Sequence, residues 1–87
     1  MSIVEFELLN KFEKAAALNS YGVFISERRL GIDRIYLFAL NSFYVELFHN
    51  LSNPYNREVT VYRVFADPGY LDVYLENVDI SVLVETE

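Results

Sequence analysis

The stretch Arg34–His49 limits what this chain can fold into more than any other. It reads Arg-Ile-Tyr-Leu-Phe-Ala-Leu, then Asn-Ser, then Phe-Tyr-Val-Glu-Leu-Phe-His. Two runs of strand-forming residues joined by two turn-type residues predict a β-hairpin. Residues directly opposed in an antiparallel pair share a face. With Asn41–Ser42 as the turn, one face pairs Leu40 with Phe43, Phe38 with Val45 and Tyr36 with Leu47. Arg34 and His49 lie at its outer end. The second face pairs Ala39 with Tyr44, Leu37 with Glu46 and Ile35 with Phe48. A sheet with one wet face alternates apolar and polar residues. This one does not, so both faces need cover: a helix on each side, a helix and another subunit, or a helix and a ligand.

The rest of the chain must supply that cover. At 87 residues it is expected to form a single domain, 1–87. Hydrophobic residues make up 53% and aromatic residues 16% of the sequence. That is more apolar surface than so small an interior hides, which points to an interface. Cysteine is absent, so disulfides and thiolate metal sites are excluded. No leader-like start and no apolar run near the ~20 residues of a membrane span are present. The expectation is a cytoplasmic protein without membrane contact.

The net charge is −6 and unevenly placed. Residues 67–87 carry six acids and no base, whereas residues 21–66 carry five arginines against four acids. A nucleic-acid binder carries a basic excess, so no nucleic-acid partner is expected.

Ser2–Leu18 is predicted to be one helix. Ser2 and Glu5 make a capping box, and Val4, Leu8, Leu9, Phe12, Ala15 and Ala16 form an apolar stripe expected to face the sheet. Tyr21–Leu30 is a first strand around Val23-Phe24-Ile25, and Gly31-Ile32-Asp33 turns the chain into the central hairpin. Asn50–Arg57 is a loop. Glu58–Phe65 is a fourth strand whose alternation Arg63 interrupts. Asp67 and Pro68 suit the N-cap and first position of a second helix, with Leu71, Tyr74, Leu75 and Val78 as its stripe. Residues 79–84 form a strand or an extended tail. The fold class is α+β: an N-terminal helix, a four-stranded antiparallel meander, a short C-terminal helix and a possible tail.

Candidate chemistry is sparse. His49 stands alone at a strand end, with Asp33 or Glu58 as possible neighbours, and no nucleophile accompanies it. Asp72, Glu76 and Asp79 flank the second helix's stripe and read first as a solvated face, then as a metal site. Arg28, Arg29 and Arg34 surround the first turn. They either pair with acidic residues of this chain or a twin, or grip a phosphate or carboxylate. Glu46 interrupts the second hairpin face. It is either solvated at an incompletely covered face or buried with a partner, for which Arg63 is the candidate. Catalytic, cofactor and metal residues are otherwise assigned to none.

Asn41-Ser-Phe-Tyr-Val-Glu-Leu-Phe-His49, followed by Tyr70-Leu-Asp-Val-Tyr-Leu-Glu-Asn-Val-Asp-Ile80, is similar to a family of small uncharacterised bacterial proteins. The shared pattern is the Phe-Tyr-Val-Glu strand and the Leu71-x-x-Tyr74-Leu75-Glu76 segment. The resemblance implies a bacterial source and brings no activity.

The functional expectation is a small non-catalytic protein-interaction module that self-associates as a homodimer, or meets another protein, through an apolar sheet face. Its interface or pocket residues are Ile35, Leu37, Tyr44, Glu46, Phe48 and Tyr62. Two alternatives are a small-ligand binder with an aromatic pocket over Tyr44, Glu46 and Tyr62, and an acidic inhibitor or antitoxin-like regulator of a basic partner.

Overall fold

The computed structural model describes residues 1–75. Two short helices, α1 (Ile3–Glu7) and α2 (Lys11–Tyr21), precede four strands: β1 (Val23–Leu30), β2 (Asp33–Leu40), β3 (Phe43–His49) and β4 (Val59–Phe65). A 3₁₀ turn, Pro68–Leu71, then leads into α3 (Asp72–Leu75). The strands form one antiparallel meander in the order β1-β2-β3-β4. The architecture is α+β. The expected strand or tail at 79–84 lies outside the described residues.

The central hairpin pairs residue for residue as its sequence predicts, from Leu40 with Phe43 out to Arg34 with His49. Within this turn positive φ falls on Asn41 alone, at 57°. Ser42 therefore need not adopt the left-handed conformation that both central residues of a type I′ turn require, and the pattern is that of a II′ turn. Gly31, at φ 65°, occupies the equivalent position between β1 and β2.

The N-terminal helix differs from expectation. Ser2 and Glu5 do form a capping box: the Glu5 amide donates to Ser2 Oγ and the Ser2 amide to Glu5 Oε1, both at 3.2 Å. A second box follows at once. The Glu13 amide donates to Asn10 Oδ1 at 2.8 Å, and the Asn10 amide to Glu13 Oε1 at 2.9 Å. Asn10 is extended, with φ −76° and ψ 173°, so the helix ends and restarts there. The restart changes which side faces the sheet. Phe6, Ala17 and Leu18 are buried, with Ile3 and Leu9 packed beside them. Of the predicted core stripe only Leu9 packs there; Val4, Leu8, Phe12, Ala15 and Ala16 are exposed.

The first sheet face is closed by α1 and α2. Phe6, Ala17 and Leu18 meet Leu40, Phe43 and Val45, with Phe38, Leu47 and Val64 at the margin. The Phe6 and Phe43 rings lie 5.8 Å apart. The handover from α2 to β1 needs a close approach at Gly22, where an added Cβ would stand 2.5 Å from the Leu18 carbonyl oxygen. The second face carries a smaller apolar cluster among the described residues. Leu37, Phe65 and Tyr74 form a small cluster there with Tyr44, Leu71 and Val73. Asp67 caps the covering segment by accepting from the Gly69 amide at 2.9 Å, with Pro68 in its first turn. No helix among the described residues is long and apolar enough to cross a membrane.

Candidate functional site

The most unusual group in the molecule is Glu46. It stands mid-strand on β3, and its solvent exposure is 0%. An ionised carboxylate is tolerated there only with charge and hydrogen-bond partners. Three side chains provide them. Arg63 Nε donates to Oε1. Arg28 Nε donates to Oε2 at 3.3 Å, and the Tyr74 hydroxyl donates to the same oxygen at 2.5 Å. Both oxygens are engaged.

The strands bring these groups together by breaking their own alternation. Arg63 lies directly opposite Glu46, but Val61 lies opposite Leu47, so Tyr62 is an extra residue in β4. This bulge lets Val61 and Arg63, which have the same parity, sit on opposite faces. Unbroken alternation from Val61 would set Arg63 against Val45 in the dry first face. β1 carries an equivalent bulge between Phe24 and Ser26. Phe24 meets Phe38 edge-on on the first face, while Arg28 pairs with Ile35 on the second. The edge strands thus each deliver one arginine to the central carboxylate.

Aromatic rings flank both guanidinium groups. Arg28 Cζ lies 5.9 Å from the Tyr62 ring centre and 5.7 Å from that of Tyr74. Arg63 Cζ lies 5.0 Å from Phe65 and 5.4 Å from Tyr70. Such contacts favour a desolvated cation. Arg63 Nη2 is buried without a hydrogen-bond partner among the described residues.

The titrations follow from this packing. Burial alone would raise the Glu46 carboxyl, but the hydrogen bonds from Arg63 and Tyr74 and the two arginine charges outweigh it and hold it below the ordinary carboxylate range. Burial pushes the Tyr74 hydroxyl well above its usual value, and the adjacent Glu46 carboxylate adds to the rise. Arg63 is raised by its bond to Glu46. A carboxylate held ionised and a phenol held neutral form a locked pair without a poised acid or base. The arrangement ties α3 to the sheet through Tyr74.

The six residues singled out from the sequence all belong to the second face, in different surroundings. Ile35, Leu37 and Glu46 are fully buried within the chain. Tyr44 is half-buried and stacks on Phe65 at 5.5 Å. Phe48 is half-buried against Tyr62, and Tyr62 is exposed. Three clefts among the described residues are lined by none of Tyr44, Glu46 and Tyr62. Glu46 is buried with a partner, and Arg63 is one of them. Arg28 and Tyr74 are the members that sequence reasoning missed. In the sequence Arg28 stands with the residues of the first turn and Tyr74 with an apolar helix stripe, and neither position marks a tie to Glu46.

His49 accepts from or donates to the Tyr36 hydroxyl through Nδ1 at 2.9 Å. Asp33 organises the Asn50–Arg57 loop instead, accepting from the Leu51 and Ser52 amides at 2.8 Å each. The Ser52 amide bond leads in holding the Asp33 carboxyl below its usual range. Among the described residues no three metal-ligating side chains gather. Of the acidic trio, Glu76 and Asp79 lie outside the described residues. Comparison with protein-family models, curated proteins and solved structures gives no match.

Proposed function

We propose that this chain is a small non-catalytic interaction module that self-associates, and that its contact surface is the outer side of the helix layer. The observation that carries the reading is the outward apolar stripe. Val4 is 66%, Leu8 81% and Phe12 76% exposed. A small domain leaves such a row in water only where a partner covers it. The sheet faces are a poorer candidate, because the chain's own helices fill one and the Glu46 cluster with α3 occupies the centre of the other.

A second copy suits the stripe. The surface of α1 and α2 carries Glu5 and Glu13 as well as Lys11 and Lys14, so a twofold contact can set acids against bases while Val4, Leu8 and Phe12 of the two copies cover one another. Apolar residues then meet apolar ones and acids meet bases, as an isologous contact requires. Sedimentation over a micromolar concentration range tests this. The expected result is a dimer that Leu8→Asp and Phe12→Asp each convert to a monomer with an unchanged far-ultraviolet spectrum. A wild-type chain that stays monomeric throughout overturns it, as does a dimer that survives both substitutions.

A further inference from the structure

The three arginines around the first turn are split by the structure. Arg28 turns to the second face and ends on Glu46. Arg29 and Arg34 remain, directly opposed across β1 and β2. Arg34 is in turn opposed to His49 on β3, so basic side chains form one row across three strands. The row lies outside the apolar cluster made by α1 and α2. Both ion pairs among the described residues belong to Glu46, and neither Arg29 nor Arg34 takes part in one. Like charges directly opposed on a strand pair repel.

A cleft of about 310 Å³ opens beside them, lined by Glu27, Arg28, Arg29 and Arg34. We propose that this cleft is an oxyanion site that takes a small phosphate- or carboxylate-bearing molecule. Two guanidinium groups offer paired donors whose fork matches either oxyanion. An oxyanion between them also converts a repulsive strand pair into a bridged one. Glu27 adds selectivity. A bare anion meets its charge, whereas a ligand with an ammonium or hydroxyl group beside its oxyanion gives Glu27 a donor to accept from. The site therefore favours zwitterionic or hydroxylated oxyanions, and it is independent of the helix stripe.

The arginine Nε–H signals of the full chain, followed by nuclear magnetic resonance, test this. Inorganic phosphate, O-phosphoethanolamine and β-alanine serve as separate titrants. Saturable movement of the Arg29 and Arg34 signals is expected, with O-phosphoethanolamine or β-alanine binding more tightly than inorganic phosphate. The tighter of those two assigns phosphate or carboxylate as the natural group. Arg29→Ala and Arg34→Ala each weaken binding about tenfold or more, the loss expected for a charge-assisted hydrogen bond. Glu27→Gln removes the preference over inorganic phosphate, and Arg57→Ala leaves binding unchanged. Unchanged amide spectra show that each variant is folded. Movement that never saturates and is equal at Arg57 overturns the proposal, as does affinity retained in both Arg29→Ala and Arg34→Ala.

Discussion

The two faces of the sheet are held by different physics. The first is closed by two helices through apolar contact alone, around Phe6, Leu40, Phe43 and Val45. On the second, the described part of α3 is held to the sheet through Glu46, two arginines and Tyr74. Apolar burial is non-directional and grows with area, so it suits the larger apolar cluster. A charged cluster is directional. It adds little net stability over an apolar core, but it penalises any arrangement that leaves one member unpaired. Among the described residues the second face buries fewer apolar side chains than the first, and the charged cluster supplies the positioning there.

Truncation on each face tests this contrast. On the first face, Phe6→Ala is expected to cost about 3–5 kcal/mol, as removal of a buried aromatic ring does, measured by denaturant unfolding. On the second face, Glu46→Ala is expected to cost about 3 kcal/mol, because two arginines lose their counter-charge. The sharper test replaces Glu46, Arg28 and Arg63 together by leucine or methionine in a Tyr74→Phe background, so that no member of the cluster is left unpaired. Stability then returns to near that of the native chain if the cluster positions rather than stabilises. A combined variant as unstable as Glu46→Ala contradicts that view.

Tyr74→Phe removes one hydrogen bond to a charged acceptor, at about 2 kcal/mol. It also changes the response to pH. The Tyr74 hydroxyl titrates above its ordinary 10.0 in the folded chain. Its contribution is complete below that value and is lost as pH rises through the folded one. Glu46 titrates below its ordinary 4.5. Its contribution is complete above that value and is lost as pH falls through the folded one. Native stability therefore declines at both ends, and Tyr74→Phe should flatten the alkaline limb and also shrink the acid limb, which persists in part because Arg63 and Arg28 still hold the Glu46 carboxyl low. Unfolding midpoints measured across pH read both limbs.

A further effect lies at the junction between the faces. Gly22→Ala places a methyl against the Leu18 carbonyl, so the backbone must shift. The expected cost is about 1–3 kcal/mol, read as a lowered thermal midpoint. The proposed oxyanion site should be unaffected by it.

The central hairpin was legible because its two faces and its turn are local facts. Register follows from Asn41–Ser42 alone, and the structure keeps it. Asp67 and Pro68 were legible for the same reason. The helix break was legible in principle, since Asn10-x-x-Glu13 is a second capping pattern. It was overridden by the longer apolar stripe from Val4 to Ala16, which, apart from Leu9, proved to face solvent. The Glu46 site was only half legible. Arg63 interrupts the alternation of β4, which hinted at a partner. That Phe24 and Arg28 part company, and that Tyr74 reaches across from α3, depends on bulges and on packing between segments up to 46 residues apart in sequence, as Arg28 and Tyr74 are. A parity pattern carries no mark of an inserted residue.

The two bulges have one further effect. Both occur in the outermost strands, and both deform the backbone edge that a neighbouring chain would need in order to add another strand. A deformed, charged edge resists recruitment into an open-ended ribbon. Copies of this chain are thus steered away from filament growth, and concentrated solutions should remain clear and free of cross-β species despite the apolar surface that each copy presents.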